Sequence, residues 1–137
     1  MKVYISGKIG EEGLTDATLE KFNKAEAMLK ARGFETFNPT NGRHQQIVNA
    51  AYGRLVADGW NTRMSHYEYM LMKDLRQLVV CDAIYMLPDF LDSKGAKAEH
   101  AFAIATGKQV YYADEWYYDG TLRAKCYEKN RLPEVAP

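Results

Sequence analysis

Residues 83–88 read Ala-Ile-Tyr-Met-Leu-Pro, an apolar run with no position for a solvated face. A strand of this kind needs cover on both sides. Parallel sheets sandwiched between helices provide it, and their inner strands show such continuous runs. The flanking sequence fits that demand. Lys2-Val3-Tyr4-Ile5-Ser6 alternates with β-branched and aromatic residues and stops at Gly7, which predicts a strand entering a loop. A helical stretch follows from Thr15, a plausible N-cap, with Leu14 and Leu19 at the spacing of a hydrophobic staple. Leu19, Phe22 and Leu29 recur at roughly helical intervals, and Gly33 suits the position just past the helix end. Phe34-Glu35-Thr36-Phe37-Asn38-Pro39 is a second strand, stopped by the proline. Strand, helix and strand in this order form a βαβ unit.

Residues 40–65 are less legible. His44 to Trp60 reads as one helix or as two short pieces around Gly53, and residues 58–62 read as a loop. Residues 65–81 place Tyr67, Met70, Leu71, Leu75 and Leu78 on one helical face, with Ser65 as a candidate cap. After the apolar strand, Ser93 to Gly107 reads as a helix with a small-residue packing stripe at Ala98, Ala101, Phe102 and Ala105. Gln109 to Ala113 is a fourth strand, and a short helix is expected around Thr121 to Glu128. Alternating strands and helices predict an α/β fold: a flavodoxin/Rossmann-like parallel sheet of four to five strands with helices on both faces. Ligands of such sheets sit beyond the carboxyl ends of the strands.

The chain of 137 residues suits a single domain, 1–137, with a real core. Eighteen Lys and Arg balance eighteen Asp and Glu, which argues against a binder of nucleic-acid polymers, whose affinity rests on excess cationic charge. A small anion held by a few local donors stays compatible. Cys81 and Cys126 form no CxxC pair, and Cys81 closes an apolar stretch, so a reduced, buried thiol is expected. No apolar run reaches the ~18 residues of a spanning helix, and the first ten residues alternate too much for a signal peptide, so no membrane association and a cytoplasmic location are expected.

Two loops fall on the expected ligand rim: Ser6 to Gly10 after the first strand and Pro88 to Gly95 after the third. Gly7, Lys8 and Asp89 lie on them. Glu99, alone among alanines, falls one position off the Ala98/Ala101/Ala105 stripe, so it is expected to point sideways to the rim. The helix N-terminus there offers free N–H groups, to which Ser93 adds a hydroxyl, Gly95 a close approach, and Lys94 and Lys97 positive charge. The plain alternatives are a helix cap at Ser93, a solvated helix charge at Glu99, a surface acid paired with Lys73 at Asp74, and a core tyrosine at Tyr4.

The segments "VYISGKI", "YMLMKDLRQLVVCDAIYMLPD" and "SKGAKAEHAFAIATGKQV" together resemble the nucleoside 2-deoxyribosyltransferase superfamily, including its nucleotide N-glycosidases. The Ser-x-Gly-x-x-x-Glu spacing from Ser93 to Glu99 is the specific part, and Asp74 ahead of it the supporting part. The resemblance implies that Glu99 is the catalytic carboxylate that attacks C1′, that Tyr4 orients it, and that Asp74 protonates the leaving base. It places Ser93 against the 5′ group of the sugar. A hydroxyl there suits a 5′-phosphate, where the aspartate of nucleoside transferases accepts from a 5′-hydroxyl. The loop Gly7-Lys8-Ile9-Gly10 lacks the arginine-rich form of the nucleotide hydrolases, and Lys94 and Lys97 are additions. The resemblance also implies a homo-oligomer, a dimer or larger, whose neighbouring subunit completes the site. Trp116, Tyr117 and Tyr118 are candidates for that contact or for roofing the base.

The residue types suit the chemistry. Cleaving an N-glycosidic bond builds positive charge on the sugar, which a carboxylate stabilises or captures. The base leaves more readily when a second acid protonates it. No metal and no cofactor are required, and the three histidines show no ligand spacing. The expected activity is therefore hydrolysis of a (deoxy)nucleoside 5′-monophosphate. The alternatives are a nucleoside 2-deoxyribosyltransferase and a module that binds a nucleotide or nucleoside without turnover.

Overall fold

The computed structural model of the chain describes residues 1–10, 13–59, 63–113, 116–117, 124–125 and 128–137; for 116–117, 124–125 and 128 it describes the backbone only. Strand β1 (Lys2–Ser6) leads into helix α1 (Asp16–Ala31) and strand β2 (Glu35–Phe37). Helices α2 (Gly42–Ala57) and α3 (His66–Val79) precede strand β3 (Ala83–Met86). A 3-10 turn (Phe90–Asp92), helix α4 (Lys94–Ala105) and strand β4 (Gln109–Tyr112) follow, then the short strands β5 (Trp116–Tyr117) and β6 (Ala124–Lys125) and a 3-10 turn (Glu128–Asn130). The main sheet has four strands, all parallel, in the order β2-β1-β3-β4. β5 and β6 pair antiparallel on their own.

Strand alternation sends side chains to two cores. Val3 and Ile5 of β1 with Ala83 and Tyr85 of β3 meet Phe22, Ala25 and Leu29 of α1 on one face. Tyr4, Ile84, Met86 and Val110 meet Leu78 of α3 and Ala96 and Ala103 of α4 on the other. All four residues of β3 are buried, as an apolar run sandwiched between helices must be. The helix boundaries follow local chemistry. The Thr15 side chain accepts from the Thr18 amide, and Gly33 takes a φ of +93° after α1, a region that costs a Cβ-bearing residue energy. Ser65 and Glu68 form a capping box at the start of α3. Among the described residues, no helix is long and apolar enough to cross a membrane. The Cys81 thiol is free and buried, donating to the Gln77 carbonyl; Cys126 lies outside the described residues.

Several expectations need correction. Residues 42–57 form one helix, uninterrupted at Gly53. On α3 the fully buried positions are Tyr69, Asp74 and Leu78, whereas Tyr67 is 57% exposed. On α4 the buried line is Ala96, Glu99 and Ala103, while Ala101 and Ala105 are exposed. An alanine-rich helix carries little apolar bias to any side, so small size alone misplaced the stripe. Of the helix expected over 121–128, Ala124–Lys125 is instead a strand and Glu128 opens a 3-10 turn; the rest lies outside the described residues, as do the side chains of Trp116, Tyr117 and Tyr118.

Candidate active site

Glu99 does not point sideways. Being one turn from Ala96 and one from Ala103, it faces the sheet, and its residue is only 6% exposed. The sheet receives it through Tyr4 and Ser6, which share one face of β1 by strand alternation. The Tyr4 hydroxyl donates to Oε2 in a short hydrogen bond, and Ser6 Oγ donates to Oε1 at 2.8 Å. Burial pushes the Glu99 carboxyl up to about 8, the bonds from Tyr4 and Ser6 pull it back, and the nearby Asp74 charge raises it. Tyr4 is itself pushed well above the usual phenol range, chiefly by burial and then by the Glu99 charge, so it remains a donor.

Asp74, buried on α3, is the second acid. Its Oδ1 lies 2.8 Å from His44 Nε2 of α2. Burial raises the Asp74 carboxyl, against the lowering influence of His44. Aromatic rings connect the two acids. Tyr4 stacks on Phe37, its register partner in β2, at 5.3 Å between centroids, and Phe37 meets the His44 ring edge-on at 4.9 Å. The β2–α2 turn aims His44. Asn38 Oδ1 accepts from the Thr40 amide at 2.9 Å and from its hydroxyl at 2.6 Å, and the Asn41 side chain accepts from the amides of Arg43 and His44.

The remaining expected site residues stand on the rim loops and at the start of α4, with visible structural work. Ser93 caps α4, its Oγ accepting from the Ala96 amide at 3.1 Å. Gly95 lies under Tyr67: a Cβ there would come within 3.0 Å of the Tyr67 hydroxyl oxygen. Asp89 uses both carboxylate oxygens within the protein, taking the Lys8 amide at 3.0 Å on Oδ1 and the Lys21 ammonium at 2.5 Å on Oδ2. Gly7 packs against Leu87, and a Cβ at Gly7 would come within 2.6 Å of that side chain. Gly7→Ala is therefore expected to cost about 1–3 kcal/mol in chemical denaturation, and the double variant with Leu87→Ala to lose less than the sum of the two single losses. Strict additivity of the two substitutions would sink this contact as the cause.

Tyr4, Asp74 and Glu99 thus come together, buried, against the carboxyl-terminal half of β1, where the strand order reverses. His100, beside Glu99, turns away: its Nε2 pairs with the Tyr112 hydroxyl oxygen at 2.9 Å. Sequence reasoning missed Ser6, His44 and Lys21 as members of this region. Ser6 was recoverable from period-two alternation with Tyr4. His44 carried no signal, because 30 residues separate it from Asp74.

One family model matches the chain, over residues 1–112, from the start of β1 through β4 and so across the whole candidate site; it is described as a domain of unknown function, DUF4406. No curated protein and no solved structure matches it.

Proposed function

The chain belongs to the DUF4406 family, and from the site within the matched region we propose that it is an N-glycosidase cleaving a (deoxy)nucleoside 5′-monophosphate through Glu99. The observation that carries this reading is a buried carboxylate held by two hydroxyls, with a second buried acid beside it. Tyr4 and Ser6 each occupy one lone pair on a Glu99 oxygen, which leaves others for C1′ of a sugar. As Glu99 bonds to C1′, the C1′–N bond breaks, its electron pair goes to the base, and Asp74 gives the base a proton. Water then attacks C1′, the ester bond returns its pair to Glu99, and Asp74 takes up the water's proton. The resemblance of the Ser93-to-Glu99 segment to nucleotide N-glycosidases supports the substrate class. Ser93 Oγ accepts at the helix cap and still has its own hydrogen to donate to a phosphate oxygen.

The test is incubation with a panel of nucleoside monophosphates and free nucleosides, with and without an acceptor base, followed by chromatography for released base. Base released from monophosphates without an acceptor supports hydrolysis, release only with an acceptor supports a transferase, and binding without release supports a nucleotide-binding module. Ser93→Ala is expected to raise KM roughly tenfold with kcat little changed, because a bond to a charged group present in both ground and transition states is lost. Ser93→Asp should harm monophosphates far more than nucleosides. An unchanged ratio between the two substrates removes the phosphate assignment and leaves the glycosidase assignment standing.

A further inference from the structure

The ends of β1 and β3 are sewn together beyond their last register pair, Ser6 and Met86. The Leu87 amide donates to the Ser6 carbonyl at 2.8 Å, and Gly7 leaves no room for a side chain against Leu87. The Lys8 peptide is then held on both sides. Its amide donates to Asp89 Oδ1 at 3.0 Å, and its carbonyl accepts from Lys21 Nζ at 2.6 Å. The same Lys21 ammonium donates to Asp89 Oδ2 at 2.5 Å, which closes the ring between α1, the loop after β1 and the loop after β3.

This latch spans the two supports of the Glu99 hydrogen bonds. Ser6, which holds Oε1, stands two residues before Lys8. Glu99 rides on α4, which begins just after the loop and 3-10 turn that carry Asp89. We infer that Lys21 and Asp89 are positioning residues for Glu99: their ion pair fixes the spacing between the end of β1 and the start of α4, and with it the Ser6-to-Glu99 bond. The inference rests on the reading of Glu99 as the nucleophile. It gives Asp89 a scaffold role, since both of its carboxylate oxygens accept bonds within the protein. Ion pairs that reach solvent add little stability. Each side chain of this pair is 30% exposed, so the latch is expected to act on geometry more than on folding.

The experiment uses Lys21→Met, Asp89→Asn and Lys21→Arg in the full chain. Lys21→Met keeps the aliphatic stem and removes both donated bonds. Asp89→Asn keeps an acceptor for the Lys8 amide and removes the charge. Lys21→Arg restores a cation. Two readouts are taken: the carboxyl 13C titration of Glu99 in the free protein, which needs no turnover, and kcat and KM for base release from a nucleoside monophosphate. The titratable groups facing Glu99 are Tyr4 of β1 and Asp74 of α3, and neither is altered in any variant. Loosening the Ser6 bond removes a contact that favours ionised Glu99. Its midpoint is expected to rise by about half a unit to one unit in Lys21→Met and Asp89→Asn. kcat at pH 7 should fall about 3–10-fold in step with the ionised fraction, with KM within about twofold. Lys21→Arg should return both readouts toward wild type. An unmoved Glu99 midpoint in both Lys21→Met and Asp89→Asn overturns the inference, as does a loss that Lys21→Arg fails to repair. If the wild type releases no base from any nucleotide, the functional reading fails, and the titration alone still decides the latch.

Discussion

Glu99→Gln is expected to lower turnover of a nucleoside monophosphate at least ~100-fold while nucleotide binding survives, because the charge that stabilises or captures the sugar cation is gone and the shape is not. The same substitution moves stability in the opposite direction. The folded-state midpoint of Glu99 is raised to about 8 from an ordinary 4.5. A carboxyl shifted upward contributes stability that is fully present below its unfolded value and is lost as pH rises through the folded value. Wild type should therefore lose stability between about pH 4.5 and pH 8, by a few kcal/mol across the window, whereas the glutamine variant should not. Denaturant melts at pH 5 and pH 9 check this: the variant should lie close to wild type at the lower pH and above it at the higher. The wild-type kcat/KM should climb on the acid side as ionised Glu99 accumulates and fall again where Asp74 loses the proton it gives to the base. Full activity in Glu99→Gln makes Glu99 a structural acid. A stability difference that ignores pH removes the account of a buried, desolvated carboxylate.

Asp74→Asn gives the second large effect, and it depends on the leaving group. Asparagine keeps a polar partner for His44 Nε2, which sits 2.8 Å from Asp74 Oδ1, but has no proton to give. Loss of general acid catalysis costs ~10²–10⁴ in rate for an ordinary base that leaves as an anion. An N7-methylated purine nucleotide already carries positive charge on its base, which leaves neutral without help. Measured as release of base in a single turnover, which precedes the water step that also uses Asp74, the variant should stay within about tenfold of wild type on that substrate, because proton transfer no longer limits the step. Equal losses on both substrates rule out proton donation by Asp74 and leave it a part of the scaffold around Tyr4.

The sheet was legible because its strands carry strong local signals. Residues 83–86 are apolar throughout and become the wholly buried β3; Lys2 to Ser6 alternate and become β1, with Tyr4 and Ser6 on one face. The candidate site was half legible. Tyr4, Asp74 and Glu99 were all singled out, but a surface acid stayed open as the plain alternative at Asp74 and Glu99 was expected to point sideways to the rim. Both sit on buried helix faces, where Leu78 follows Asp74 by one turn and Ala103 follows Glu99 by one turn. A lone acid on an amphipathic helix is read as solvent-facing unless its partner is known, and the partners here are distant in the chain. His44 is invisible for the same reason. Asp89 was legible as an acid on a rim loop, but its bonds from the Lys8 amide and the Lys21 ammonium were not, because both partners are distant in the chain. The tail failed because a short polar stretch carries no period strong enough to separate a helix from the strand at Ala124–Lys125.

Glu99 takes its two hydrogen bonds from residues 95 and 93 positions earlier in the chain. Contacts of such sequence separation cost loop-closure entropy, since the chain between them must close first. During synthesis, β1 leaves the ribosome long before α4 exists, and Tyr4 and Ser6 wait with no carboxylate to hold. A nascent or truncated chain ending before α4 contains no Glu99 at all, and one ending within α4 lacks β4 to complete the sheet beside β3. On the proposed reading of Glu99, a translation product interrupted before β4 would hold no assembled site.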